Sequence, residues 1–119
     1  MDETVKTIVE GLIEKTKEKK AKWLESSTKS EYKILFDSAT VLIGLFRDTM
    51  GKSYYMLRIL NDEGRVIIRE SAFLTQSSSE LLKALYLAVQ DSCLKKKDTL
   101  DSILSQLNGD VVGISKKEE

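Results

Sequence analysis

The sequence predicts an α+β domain, a four-stranded antiparallel meander flanked by an N-terminal helix and a long C-terminal helix. Three observations lead there. Apolar residues recur every three or four positions near both ends of the chain, they alternate every second position through the middle third, and short polar segments of hairpin length separate the alternating runs. A chain of 119 residues suits one hydrophobic core. Residues 1–115 are read as that domain and residues 116–119 as a disordered tail.

Val5, Ile8, Val9, Leu12, Ile13 and Thr16 keep the rhythm of a helix facing a core, and Trp23 continues it seven residues on. Asp2 or Thr4 can cap its start. Between Ile13 and Trp23 the stripe thins into a lysine-rich segment. The second half of the helix is therefore expected to project past the core until Trp23 or Leu24 anchors it, with Ser26-Ser27-Thr28 as the break.

Tyr32, Ile34 and Phe36 open the two-residue rhythm, Val41, Ile43 and Leu45 continue it, and Tyr55, Leu57 and Ile59 form the third run. Val66 to Ser71 is the fourth. It follows Asn61-Asp62-Glu63-Gly64, where Gly64 suits the left-handed position of a hairpin loop. Asp37-Ser38 and Arg47 to Lys52 read as the other turns. Connections this short join antiparallel neighbours.

After a polar hinge at Thr75 to Ser79, Leu82, Leu85, Tyr86, Val89 and Cys93 form one helical stripe, and Leu100, Ile103, Leu104 and Leu107 continue at compatible spacing. Either one helix spans both stripes or Asp98 caps a second, short helix. With no proline or glycine between Glu80 and Leu107, one long or slightly bent helix is expected, ended by Asn108-Gly109. Val111 to Ile114 is a short apolar remnant.

Composition excludes much chemistry. The chain has no histidine, which removes imidazole acid/base catalysis, Ser-His and Cys-His pairs and imidazole metal ligands. A single cysteine suits a reducing compartment, with the cytoplasm as the default. Nineteen basic residues balance nineteen acidic ones, a poor start for holding a polyanion. No signal-peptide core and no membrane-length apolar run is present, so no membrane association is expected.

Candidate sites are few. Asp37, Ser38 and Thr40, and the carboxylates Asp48, Asp62 and Glu63, fall in turns, where such side chains bond the local backbone; successive hairpins also point to opposite ends of the sheet. The glycines show neither dinucleotide nor phosphate-loop spacing. Cys93 reads as a small buried hydrophobe. No catalytic residue, cofactor site or metal site is predicted.

Two surfaces stand out instead. Lys15 to Lys22 holds five lysines and one glutamate, and Lys15, Lys19 and Lys22 with the neighbouring Trp23 form a candidate nucleic-acid contact. Its competing reading is a solvated helix end paired with local glutamates, and Lys95 to Lys97 is read the same way. The larger surplus is apolar: Leu42, Phe46, Tyr54, Met56 and Leu60 alternate to the face opposite the first apolar set. With Leu100 and Leu104 they form a candidate protein interface, because a bulky apolar face left uncovered marks an interaction site.

Leu12 to Lys17 with Trp23, Ser30 to Phe36, Tyr55 to Gly64, Leu82 to Tyr86 and Leu100 to Leu104 resemble small uncharacterised bacterial proteins of helix, antiparallel strands and helix. That resemblance implies a partner-binding role and carries over no functional residue. The expectation is therefore a non-enzymatic protein-interaction or regulatory module, homodimeric and cytoplasmic, that binds itself or another protein. The alternative is a weak nucleic-acid-binding protein that uses the Lys15–Lys22 segment.

Overall fold

The computed structural model describes residues 1–109, 111 and 113. It is an α+β fold in which a helix, α1 (Glu3–Lys17), precedes five strands, β1 (Trp23–Glu25), β2 (Glu31–Phe36), β3 (Ala39–Arg47), β4 (Ser53–Leu60) and β5 (Val66–Phe73). Two helices follow, α2 (Glu80–Leu94) and α3 (Lys96–Leu107). The strands form one antiparallel sheet in chain order.

Asp2 caps α1 by accepting the Val5 amide at 2.9 Å. Val5, Val9, Leu12 and Thr16 are its buried stripe. The helix ends earlier than expected. Lys19 turns left-handed at φ 61°, and the Lys20 amide bonds back to the Lys15 carbonyl at 2.8 Å. The lysine-rich segment is thus a helix end and a turn, and Trp23 opens a strand. This is the fifth strand, which the four-stranded expectation lacked. Trp23 still meets Thr16, whose Oγ1 accepts the indole Nε1–H at 2.9 Å while its own hydroxyl donates to the Leu12 carbonyl at 2.6 Å.

The expected turns form as the residue types dictate. Asp48 Oδ1 accepts the amides of Met50 and Lys52, Asn61 Oδ1 accepts those of Glu63 and Arg65, and Gly51 and Gly64 supply the positive φ.

Register sorts the strands into two faces. Trp23, Ile34, Val41, Ile59 and Ile68 form one row across all five strands, and Tyr32, Ile43 and Leu57 form the next. These side chains pack with Val5, Val9 and Leu12 of α1 and Leu82, Leu85, Tyr86 and Val89 of α2 into a single core. Tyr86 lies between Tyr55 and Tyr32, with ring centroids 5.5 and 5.9 Å away.

The single long C-terminal helix does not form. Lys95 takes a left-handed conformation (φ 53°, ψ 41°) and divides it into α2 and α3. A non-glycine residue there costs about 1 kcal/mol, so neither glycine nor proline was needed to make the break. No residue of α3 is buried. The extents of 54 × 37 × 29 Å fit a helix projecting from the body. Of the apolar remnant at the C-terminus, Val111 is exposed. The expected tail at 116–119 lies outside the described residues.

Burial lifts the Tyr32 and Tyr55 hydroxyls above the ordinary 10.0, with nearby Tyr86 adding to the effect. These protons are held in the folded chain and released more readily by the unfolded one. The resulting stability is complete below the ordinary value and lost as pH rises through the folded value. Thermal melts should therefore fall steeply above about pH 10, and Tyr32→Phe with Tyr55→Phe should flatten that alkaline slope while the slope near neutrality stays unchanged.

Candidate interaction surface

Helices α1 and α2 both lie on the Val41, Ile43 and Leu57 face, and the opposite face of the sheet carries its own apolar rows. Phe46 of β3, Tyr54 of β4 and Phe73 of β5 are register partners. Their rings follow one another at centroid distances of 5.9 and 5.8 Å. Leu42 is buried among its neighbours, Phe46, Tyr54, Met56 and Leu60 are half-buried, and Leu24, Leu35 and Phe73 stand exposed around them. The five strand residues expected at an interface thus share one face.

At the centre of that face lies a polar pair which the alternation pattern did not single out. Glu31 is 2 % exposed, and Arg58 Nη2 donates to its Oε2 at 2.5 Å while Ser26 Oγ donates to its Oε1 at 3.1 Å. The Arg58 Nε is buried with no hydrogen-bond partner among the described residues. Glu31 and Arg58 lie diagonally across β3, in rows that pass through Gly44 and Leu42. Gly44 makes this packing possible. A Cβ there would sit 2.7 Å from the Phe46 ring and 3.2 Å from the Glu31 Cβ, so the ring folds down where a side chain would otherwise stand. A charge inside an apolar strand and a glycine two positions before an aromatic were the available signals.

The other expected interface residues lie elsewhere. Leu100 and Leu104 are on α3, each more than half exposed, together with Ile103 and Leu107. They form one apolar stripe that no other described residue buries.

The nucleic-acid candidate divides. Lys15, Lys19 and Lys22 are exposed, but Trp23 is 8 % exposed and its indole N–H is bonded, so it offers no face for a base to stack on. Lys17 and Lys19 meet Lys95 and Lys97 along a groove of about 660 Å³ floored by Ala84 and Ala88, where Asp91 and Asp98 oppose their charge. Lys19 and Asp98 pair at 3.7 Å. Cys93 is half-buried, and burial followed by the charge of Glu25 pushes its thiol above the ordinary 9.0. It is therefore a poor nucleophile near neutrality. Among the described residues, no three acidic or cysteine side chains cluster as a metal site, and no helix is long and apolar enough to cross a membrane.

Removing Arg58 alone leaves a buried carboxylate unpaired, so Arg58→Ala should cost about 3 kcal/mol in urea unfolding. Glu31→Leu combined with Arg58→Met should recover most of that loss. A double variant as unstable as Arg58→Ala would contradict the pairing. Gly44→Ala should cost about 1 kcal/mol and displace the Phe46 ring, read as altered aromatic NMR shifts at Phe46 and Tyr54.

Compared with known proteins, the chain matches no family model, no curated protein and no solved structure.

Proposed function

We propose that the chain is a non-enzymatic protein-interaction module that works as a homodimer in a reducing compartment such as the cytoplasm. The observation that carries this reading is α3, an amphipathic helix of 12 residues with no buried residue. Helices shorter than about 12–15 residues are marginal in water and take their stability from packing an apolar face. Among the described residues of one copy, none buries the apolar stripe of α3. The uncovered sheet face, with its Phe46, Tyr54 and Phe73 row, supports the same reading and leaves room for a second partner.

Edge-to-edge strand pairing suits this chain less well. The β5 edge carries a register irregularity opposite Ile59 and Leu60, along with Arg65, Arg69 and Glu70, features that blunt strand addition.

Binding of an anionic polymer is a second reading, favoured by the groove that brings both lysine runs together. Charge balance and the burial of Trp23 weigh against it. If it holds, fluorescence anisotropy with single-stranded RNA should weaken with salt and with Lys19→Glu plus Lys22→Glu, because each phosphate contact adds to the salt slope.

Three-turn helices offer less than the about 1,200 Å² of a standard interface, so the dimer should be concentration-dependent. Sedimentation velocity across the micromolar range should show a shift from monomer to dimer. A monomer at every concentration would overturn the homodimer.

A further inference from the structure

We propose that the homodimer forms by antiparallel pairing of α3 with α3 of a second copy, an inference that rests on the homodimer reading above. The four exposed apolar residues, Leu100, Ile103, Leu104 and Leu107, are spaced symmetrically about a point between Ile103 and Leu104, in the second half of the helix. Laid against a reversed copy, Leu100 of one chain meets Leu107 of the other, and Ile103 meets Leu104. The stripe is thus complementary to itself under a two-fold axis, the commonest symmetry of soluble dimers.

Charge selects the direction. Every charged residue of α3, namely Lys96, Lys97, Asp98 and Asp101, lies in its first half. Parallel pairing in register would set Lys97, one turn before Leu100 on the same stripe, beside Lys97 of the second copy. Antiparallel pairing about the stripe's centre sets Asp101 opposite Gln106, leaves Lys96, Lys97 and Asp98 past the end of the second copy's helix, and opposes the two helix dipoles favourably.

The left-handed turn at Lys95 is what makes α3 available. It ends α2, whose own buried residues are Leu82, Leu85, Tyr86 and Val89, and α3 beyond it has no buried residue. A second copy is the occupant that the symmetric stripe fits.

Cysteine cross-linking in a Cys93→Ala background tests the geometry. A mixture of Leu100→Cys and Leu107→Cys chains should give a mixed disulfide dimer under mild oxidation, while each chain alone should give little. Like positions are offset by seven residues, about 10 Å along the helix, which is beyond disulfide reach. Disulfides formed by each chain alone but not in the mixture would show parallel pairing and overturn the proposal.

Leu104→Asp should weaken dimerisation at least tenfold in sedimentation with the circular dichroism of the sheet unchanged. A Leu104→Asp chain that still dimerises like the parent would overturn α3 pairing and leave the homodimer standing through another surface. A parent chain that never dimerises would overturn both.

Discussion

A sheet has two faces, and this chain has helices for one of them. That constraint follows from the alternation of side chains along β2 to β5, which sends Val41, Ile43, Tyr55, Leu57 and Ile59 to one side and Leu42, Gly44, Tyr54, Met56 and Arg58 to the other. Helices α1 and α2 complete the first side into a core. The third helix, which could have extended that layer, leaves it at Lys95 with an apolar stripe that no other described residue buries. One constraint therefore produces both candidate surfaces.

The uncovered sheet face is nonetheless ordered. Phe46 lies on Gly44, and beside it the Glu31–Arg58 pair bridges β2 and β4 across β3. An ion pair in this position adds less to stability than to register. Sliding β2 by one residue would send Glu31 to the face covered by α1 and α2, at the cost of burying an unpaired charge in the core. A rigid apolar face with a fixed polar centre loses little entropy when a partner covers it.

Much of this was legible in the sequence. The two-residue rhythm placed Leu42, Phe46, Tyr54, Met56 and Leu60 on one face, and turn chemistry placed the hairpins at Asp48 and Asn61. β1 was hidden because three residues cannot show a period, and Trp23 falls at helical spacing from Thr16. The contact between them is real, but it closes across a turn rather than along a helix. The break at Lys95 was hidden because lysine in a left-handed conformation leaves no composition signal. For the same reason Leu100 and Leu104 could be grouped with the sheet residues as apolar surplus although they lie on a separate helix. The Glu31–Arg58 pair is diagonal across a third strand, so register had to be known before it could be seen.

The most direct measurement of the central claim, that the described residues of one copy leave α3 without a packing surface, is amide hydrogen exchange along the chain well above and well below the midpoint of the proposed dimerisation. The account predicts that amides of β3 and β4 exchange equally slowly at both concentrations, while those of Leu100 to Leu107 are protected above the midpoint and exchange freely below it. Protection of α3 that is independent of concentration would contradict it, because a single chain would then stabilise the helix by itself.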